Sequence, residues 1–335
     1  MKKRIAINGF GRIGRLAYKE LLNDENMEVV AINDLTSVED LAYLIKYDTV
    51  HGSLDRPVTV ENGELVCDDK HTKVFAIKDA KELPWKDLNI DLVLECTGVY
   101  TKLEDAKAHI EAGAKHVLIS APGKGDMKTI VYGVNERELT GKEEVLSAAS
   151  CTTNCLAPVL NVLHENFGVE SGFMTTIHAY TNDQVNLDVQ HKKGYMTRRG
   201  RACALNIIPS STGAASAIGK VIKDLEGKLV GSAMRVPVGD GSLVDLTLKL
   251  KKKVSKEEIN EAFENNKNET IDITYDPIVS SDIIGNKVGS LVDGLLTEVL
   301  STENGDLVKV VAWYDNELGY TSQMIRTMRY FLELD

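Results

Sequence analysis

The feature that most constrains the fold of this chain is a glycine fingerprint that follows directly on a short apolar strand. Residues Arg4–Asn8 have the pattern of a buried strand, and Leu16–Leu22 has the apolar spacing of a helix. Between them lie Gly9, Phe10, Gly11, Arg12, Ile13 and Gly14. In such a unit the first glycine permits a tight turn, the second lets the backbone approach a pyrophosphate, and the third lets the helix pack on the strand. The sequence therefore predicts a dinucleotide site at the N-terminus of this helix.

A carboxylate after the next strand strengthens this prediction. The apolar strand Val29–Ile32 runs into Asn33 and Asp34, and Asp34 lies about 20 residues beyond the last glycine of the fingerprint. A carboxylate in that position can accept a hydrogen bond from a ribose hydroxyl. The alternative is that Asp34 only caps the following helix.

The first half of the chain continues as alternating strands and helices. A helical pattern over Leu103–Ala112 separates the apolar runs Leu92–Glu95 and Val117–Ser120. This order favours an α/β fold with a parallel sheet, in which ligands bind beyond the carboxyl ends of the strands. Between them, Pro57–Ile77 has the short runs and turn signals of a small antiparallel insertion. The residues expected along the ligand-binding rim are Asp34, Thr97, Gly98 and Ser120.

The second half has a different pattern, with longer strands of alternating polarity. This pattern predicts a mainly antiparallel sheet with helices on one side, an α+β arrangement. The strands expected are Gly172–His178, Lys228–Val236, Leu243–Leu250 and Leu307–Trp313.

Cys151 stands where a strand-like run, Val145–Ala149, gives way to a helix. The pattern over Cys155–Phe167 predicts an amphipathic helix, so Cys151 would meet the unpaired N–H groups and the positive end of that helix. That position favours the thiolate, because a cysteine pKa falls from about 8.5 to about 3.5–7.5 at helix N-termini or beside a histidine. The alternative is a buried structural thiol. A reactive thiol is favoured by the polar neighbours Ser150, Thr152, Thr153 and Asn154.

Other side chains in the second half could complete a site around this thiol. His178 ends the strand Phe173–Ile177, so it is a candidate base or thiolate partner; the alternative is a hydrogen-bonded structural histidine. Arg235 sits in an apolar strand and needs an anionic partner, either a ligand phosphate or a structural carboxylate. Ser210–Gly213 opens a helical pattern and offers hydroxyls and N–H groups to a second anion, unless it forms only an ordinary N-cap.

Composition and charge exclude several classes of function. A formal net charge of −11 and a pI near 5.3 disfavour nucleic acid as the main partner. No apolar run reaches the length of a membrane span or of a signal peptide, so we expect a cytoplasmic protein without a membrane partner. The five cysteines form no metal-like clusters and are odd in number, which argues for a reducing compartment and against a metal site.

Four strings spread over the chain resemble those of a known family. They are Ile7–Arg15, Ala149–Cys155, His178–Gln184 and Trp313–Glu317. They are similar to motifs of the phosphorylating, NAD-type glyceraldehyde-3-phosphate dehydrogenases of bacteria, and the cysteine-centred string is the most specific. The resemblance implies a Rossmann NAD-binding domain over residues 1–150 with 316–335 and a catalytic domain over 151–315. It also implies a homotetramer that works in glycolysis.

The resemblance further implies roles for individual residues. Cys151 would attack the aldehyde of glyceraldehyde 3-phosphate, and hydride transfer to NAD would leave a thioester that inorganic phosphate cleaves to an acyl phosphate. His178 would activate the thiol and accept the hydroxyl proton. Together with the fingerprint and the ligand-binding rim, the expected cofactor contacts are Lys78, Asn316 and Tyr320. The expected substrate and phosphate contacts are Ser150, Thr152, Thr181, Arg201, Thr212, Gly213 and Arg235.

The chain departs from the family pattern in three respects. Val189-Gln190 replaces the usual leucine-proline in a loop that is a few residues longer before Arg201, and Lys78 stands where many bacterial relatives have arginine. Three rival functions stay open. They are an erythrose-4-phosphate dehydrogenase, which hydrolyses its thioester, an NAD-binding interaction protein with a secondary role, and a cysteine hydrolase, which the dinucleotide fingerprint disfavours.

Overall fold

The structure, a computed structural model, describes residues 2–303 and 305–334, which fall into two compact units. The first unit takes in residues 2–130, 136–149 and 324–334. The second comprises the remaining described residues.

The first unit contains an eight-stranded sheet flanked by helices. Its strands are β1 (Lys3–Asn8), β2 (Met27–Asn33), β3 (Val58–Glu61), β4 (Glu64–Cys67), β5 (Lys70–Phe75), β6 (Leu92–Glu95), β7 (His116–Ile119) and β8 (Val145–Ser147). Its helices are α1 (Arg12–Leu21), α2 (Val38–Lys46) and α3 (Leu103–Glu111).

The sheet order is β3-β4-β5-β2-β1-β6-β7-β8. The last six strands in this order, β5, β2, β1, β6, β7 and β8, pair in parallel. The predicted antiparallel insertion is confirmed as β3, β4 and β5, and β5 extends the parallel sheet by pairing with β2. Because β1 lies between β2 and β6, the chain leaves the carboxyl end of β1 at a topological switch point, where ligands bind in sheets of this kind.

Apolar side chains on both faces of β1 explain why this strand lies at the centre. Ile5 and Ile7 belong to one buried cluster, which also holds Met324 and Phe331 from the end of the chain. Ala6 belongs to a second cluster with Trp85. Successive residues of a strand point to opposite faces, so both faces of the sheet are covered, as in a doubly wound fold.

The second unit contains the predicted mainly antiparallel sheet, which also includes two parallel pairs of strands. Its strands are β9 (Val169–Ala179), β10 (Ile208–Ser211), β11 (Leu229–Val236), β12 (Ser242–Leu250), β13 (Ile271–Thr274), β14 (Ser290–Asp293), β15 (Glu298–Thr302) and β16 (Gly305–Tyr314). Its helices are α4 (Cys151–Phe167), α5 (Ala214–Val221), α6 (Lys256–Glu264) and α7 (Leu318–Leu334), the last belonging to the first unit from Met324 onward.

The path through this sheet is β10-β11-β9-β12-β16-β14-β13, with β15 paired to β16. Only the pairs β11–β9 and β13–β14 are parallel among those that the described residues form. Helix α4 packs on β9, β12, β14 and β16, and Met174 and Leu246 of this sheet are buried. Phe173 and Val230 are 68% and 62% exposed. Among residues 2–303 and 305–334, no helix has the length and apolarity needed to cross a membrane.

Candidate active site

Cys151 is the first residue of α4, and Ser150 is the N-cap of that helix. The Ser150 hydroxyl accepts a hydrogen bond from the Thr153 N–H at 3.1 Å. The helix therefore begins four residues before the start that the apolar pattern predicts, because the polar first turn is held by this cap. Ala149, two residues before the thiol, has φ of 58°, a left-handed conformation that is costly for a residue with a side chain.

His178, near the end of β9, contacts the thiol directly. Its Nε2 lies 3.3 Å from Cys151 Sγ, and its Nδ1 lies 2.7 Å from the Ala179 carbonyl oxygen. If Nδ1 carries the proton and donates it to that carbonyl, Nε2 is free to accept a proton from the thiol. Burial and the nearby Arg235 guanidinium lower the pKa of His178 to about 3, so the imidazole is neutral at physiological pH. A neutral imidazole at this distance can act as a general base.

The protonation of the thiol differs from the sequence-based expectation. Burial raises the pKa of Cys151, and this effect exceeds the opposing effects of Arg235 and of the Thr152 hydrogen bonds. The expectation of a lowered pKa is therefore corrected, because the N-terminus of α4 is half-buried rather than open to water. The thiolate forms when His178 accepts the proton. All five cysteines are free, so Cys151 and Cys155 share a helix without a disulfide.

Arg235 on β11 lies beside His178 in the sheet register. Its Nη1 donates to the Ala179 carbonyl oxygen at 2.8 Å. Nη1 also lies 2.8 Å from His178 Nδ1, and because a guanidinium only donates, this contact is not a hydrogen bond in the tautomer that carries the proton on Nδ1. Its Nε is buried without a hydrogen-bond partner in the protein. No carboxylate of the described residues forms an ion pair with Arg235, so the structural alternative of a carboxylate partner is absent from that part of the chain. The unpartnered N–H group suits an anionic ligand.

The arginines of the loop after β9 differ in position. Arg201 is exposed, and its Nε donates to Asp188 Oδ2 at 2.8 Å. Arg199 forms an ion pair with Asp183 and helps to lower the pKa values of His178 and Arg235. Arg199 therefore lies in the electrostatic environment of the Cys151 thiol and the His178 imidazole. The family resemblance did not predict Arg199 as a site residue.

The remaining predicted phosphate contacts lie at two helix starts and in a loop. Thr181 is half-buried in the loop after β9. Gly213 is the N-cap of α5 and has no side-chain cap, while the Thr212 hydroxyl accepts from the Ala214 N–H at 3.1 Å. Thr212 thus combines a capping hydrogen bond with a hydroxyl that retains its own donor proton.

Tyr314, at the end of β16, is a site residue that the motif reading did not single out. Its hydroxyl lies 3.0 Å from Thr152 Oγ1 and 2.9 Å from Thr176 Oγ1. Its ring meets the His178 ring edge-on at 5.8 Å between centroids. Tyr314 therefore holds both the first turn of α4 and the imidazole. The sequence pointed to Tyr314 only through its place in the Trp313–Glu317 motif. Its contacts with Thr152, Thr176 and His178 are seen only in the structure.

Asn316 and Tyr320 are held at the start of α7. The Ser242 hydroxyl donates to Asn316 Oδ1 at 2.6 Å, which leaves the amide N–H groups of Asn316 available to a ligand. Asp315 Oδ1 accepts from the Leu318 N–H at 2.7 Å and so caps the helix. Asn316 and Tyr320 are both buried.

A separate cavity of about 500 Å³ opens at the carboxyl ends of β1, β2 and β6 in the first unit. This position matches the ligand-binding rim expected for the fold. The predicted cofactor contacts that line it are Gly9, Gly11, Asp34, Lys78 and Thr97. Those that do not line it are Phe10, Arg12, Ile13, Gly14, Gly98 and Ser120, while Asn316 and Tyr320 belong to the second unit.

The three fingerprint glycines meet different constraints. Gly9 has φ of +92°, and a Cβ there would lie 2.7 Å from the Thr97 nitrogen. A Cβ on Gly14 would lie 2.2 Å from the Gly9 carbonyl oxygen, so α1 packs closely on this turn. Gly11 has no heavy atom within 4 Å of its Cβ position and caps α1 without a side chain. The space beside Gly11 is therefore open, which leaves room for a pyrophosphate to approach the N-terminus of α1.

Asp34 and Arg12 flank this turn. Asp34 Oδ2 accepts from the Phe10 N–H at 2.7 Å. The N-cap of α2 is Ser37, so the alternative in which Asp34 merely caps the next helix is excluded. Arg12 Nη1 pairs with Asp48 Oδ2 at 2.8 Å, which anchors its guanidinium on the protein.

Comparison with known proteins agrees with this geometry. The family model for the glyceraldehyde 3-phosphate dehydrogenase NAD binding domain matches residues 3–103, and that for the C-terminal domain matches residues 150–316. A glyceraldehyde-3-phosphate dehydrogenase of Clostridium acetobutylicum is 56% identical over 331 residues, 99% of each chain. One of Clostridium pasteurianum is 55% identical over the same span, and one of Streptococcus pyogenes is 50% identical over 335 residues, covering 100% of this chain and 99% of that protein. The chain is therefore a member of the glyceraldehyde-3-phosphate dehydrogenase family.

Proposed function

We propose that this protein oxidises glyceraldehyde 3-phosphate with NAD and inorganic phosphate to 1,3-bisphosphoglycerate, the phosphorylating step of glycolysis. The observation that carries the proposal is the 3.3 Å contact between Cys151 Sγ and His178 Nε2 at the start of α4. Support comes from the full-length similarity to glyceraldehyde-3-phosphate dehydrogenases and from the cavity at the fingerprint glycines.

The reaction begins with the thiol. Sγ forms a bond to the aldehyde carbon while its proton passes through His178 Nε2 to the carbonyl oxygen, giving a hemithioacetal on Cys151. Nε2 then accepts the hydroxyl proton as the carbon–hydrogen bond breaks. NAD, when bound, accepts the hydride. A thioester remains; an oxygen of inorganic phosphate attacks its carbon, the carbon–sulfur bond breaks, and the acyl phosphate leaves.

The chain divides this work between its two parts. We assign NAD binding to residues 1–150 with 316–335 and catalysis to residues 151–315. Gly9, Gly11 and Asp34 would hold the pyrophosphate and the adenosine ribose, because they line the cavity that the fingerprint forms. Asn316 would orient the nicotinamide through its free amide N–H groups.

We assign two anion sites to the second unit, one at the unpartnered Arg235 Nε and one at the polar groups that begin α4 and α5. The buried Nε of Arg235 would hold the substrate phosphate together with Thr181. The attacking phosphate would bind the hydroxyls of Ser150, Thr152 and Thr212 and the N–H group of Gly213.

The test is NAD reduction with glyceraldehyde 3-phosphate, run with and without inorganic phosphate, with acyl phosphate measured directly. We expect rapid turnover and acyl phosphate only in the presence of phosphate. Equal turnover without phosphate, with free acid as the product, would instead indicate the hydrolytic chemistry of an erythrose-4-phosphate dehydrogenase.

Replacing Arg235 with leucine is expected to damage recognition of the substrate phosphate. A charge-assisted hydrogen bond to a buried phosphate is worth about 1.5–3 kcal/mol, so kcat/KM for glyceraldehyde 3-phosphate should fall at least about tenfold more than that for unphosphorylated glyceraldehyde. Arg201→Leu is the comparison: because its guanidinium is exposed and paired with Asp188, we expect a smaller loss. Equal losses on both aldehydes in Arg235→Leu would assign Arg235 to structure alone.

Replacing Asp34 is expected to relax coenzyme choice. The carboxylate would repel a 2′-phosphate on the ribose, so the wild type should strongly prefer NAD. Asp34→Gly should raise kcat/KM for NADP, helped by the absence of the usual loop proline at Val189-Gln190. Asp34→Asn keeps an acceptor for the Phe10 N–H but removes the charge, so it isolates the repulsion. Equal use of NAD and NADP by the wild type, or no gain with NADP in either variant, would contradict this reading.

We also propose that the protein is a cytoplasmic homotetramer. The support is apolar surface that a single chain leaves exposed: Phe173 and Val230 on the sheet of the second unit, and Leu187 and Tyr195 in the loop after β9. Sedimentation equilibrium tests the proposal, since a mass of one chain at micromolar concentration contradicts it.

A further inference from the structure

A buried polar network lies directly beneath the cavity of the first unit. Glu95, the last residue of β6, is 1% exposed, and His109 on α3 is 0% exposed. Glu95 Oε2 is 3.0 Å from His109 Nε2, and Trp85 Nε1 donates to His109 Nδ1 at 3.0 Å. A carboxylate and an imidazole in a protein interior are costly unless fully hydrogen-bonded, so their partners define their charge states.

The tryptophan determines the tautomer of the histidine. An indole N–H is only a donor, so His109 Nδ1 must be the unprotonated acceptor. His109 Nε2 therefore carries the proton and donates it to Glu95, and the imidazole is neutral.

The groups around Glu95 are arranged to donate to a carboxylate. Oε2 accepts from Asn8 Nδ2 at 2.6 Å and from His109, while Oε1 accepts from the Thr97 N–H at 2.8 Å and from the Thr97 hydroxyl. Three of these groups, the Asn8 amide, the His109 N–H and the Thr97 N–H, can only donate, and the Thr97 hydroxyl can donate as well. A carboxylate accepts from all four.

Both hydrogen-bonding directions of the Thr97 hydroxyl are used inside the protein. It donates to Glu95 and accepts from the Val99 N–H at 3.0 Å. Thr97 lines the cavity, but its hydroxyl is engaged below it. Thr97 can therefore offer a cofactor its backbone and methyl group, and its conformation is set by Glu95.

The network also joins the strand ends that surround the cavity. Asn8 stands opposite both Asn33 and Glu95 in the parallel register of β1 with β2 and β6. Asn33 Nδ2 donates to Asn8 Oδ1 at 2.8 Å, and Asn33 Oδ1 accepts from the Ile77 N–H at 2.9 Å. The residues that follow these anchors include Gly9, Asp34 and Lys78, which line the cavity.

We propose that Glu95, oriented by His109 and Trp85, is a positioning residue for the dinucleotide: its carboxylate holds the Thr97 backbone and, through Asn8 and Asn33, the strand ends that form the adenosine half of the site. The inference rests on the NAD binding proposed above. Gly9 makes the coupling tight, since even a Cβ there would lie 2.7 Å from the Thr97 nitrogen.

The test measures the Kd values of NAD and of ADP-ribose for Glu95→Gln in the full-length protein. The amide nitrogen would face a donor, so we expect both Kd values to rise about tenfold, with kcat at saturating NAD within about twofold of wild type. Glu111→Gln is the matched control, because Glu111 lies on α3 in an exposed ion pair with Lys81. A lowered thermal midpoint with unchanged Kd values in Glu95→Gln would show that the network is only structural and would overturn the proposal.

A milder pair of variants tests the positioning role of Glu95 even if Glu95→Gln does not fold. Thr97→Val removes the hydroxyl that bonds Glu95, whereas Thr97→Ser keeps it, so we expect Thr97→Val to raise the Kd of ADP-ribose several-fold more than Thr97→Ser. Equal values for the two variants would overturn the positioning role. Failure of the wild type to bind either NAD or ADP-ribose would contradict the proposed function itself, which is a different outcome.

Discussion

Serine in place of Cys151 is expected to lower the rate of NAD reduction by several orders of magnitude while leaving the fold and NAD binding intact. The hydroxyl is far less acidic than the thiol, and His178 Nε2 at 3.3 Å is too weak a base to generate an alkoxide as readily as a thiolate. An oxygen ester would also lack the reactivity of the thioester toward phosphate. Loss of a nucleophile that carries the intermediate costs far more than loss of a positioning contact.

Cys155→Ser is the control for this variant. Cys155 lies one turn further along α4, fully buried, with its Sγ 3.9 Å from the Ala312 carbonyl oxygen. We expect a loss of stability with near-normal turnover of the folded protein. Steady-state rates, circular dichroism and NAD titration of both variants make the comparison, and substantial turnover by Cys151→Ser would contradict the thioester mechanism.

Asparagine in place of His178 is expected to slow hydride transfer by about 10²–10⁴-fold, the usual contribution of a positioned general base. The same change should make Cys151 less reactive toward iodoacetamide at neutral pH. Burial raises the pKa of the thiol, so the wild-type thiolate depends on proton transfer to Nε2. Both effects have one cause.

Single-turnover rates and alkylation rates from pH 5 to 9 test this prediction. The neutral imidazole persists well below pH 6 because the pKa of His178 is lowered to about 3. The wild type should therefore keep its advantage over His178→Asn on the acidic side of this range. Superimposable alkylation profiles would show that His178 does not activate the thiol.

The glycine fingerprint and the position of the reactive cysteine could be predicted because each depends on residues that are close together in the sequence. Gly9, Gly11 and Gly14 act through a turn and a helix start that span a few residues, and the Ser150 cap lies beside Cys151. Local backbone geometry follows from local sequence, so motif spacing sufficed. The strands β1, β2, β6 and β9 were likewise predictable, since apolar periodicity reflects burial.

Contacts between distant segments could not be predicted in this way. Arg199 and Arg201 are two residues apart in one basic run, and spacing alone does not show which of them lies near His178. Tyr314 contacts Thr152, which lies 162 residues earlier in the chain. Such pairs depend on strand register and side-chain packing, which a single sequence does not encode in any local pattern.

The sequence by itself determined the type of each element, the nucleophile and the dinucleotide fingerprint, because each depends on neighbours within a few residues. The tertiary structure decided the charge states. Burial reversed the expected direction of the Cys151 pKa, and donors from Asn8, Thr97 and His109 converge on the buried Glu95. The physical reason is that desolvation and hydrogen bonding depend on what surrounds a group in space, and those surroundings come from strands and helices far apart in the chain.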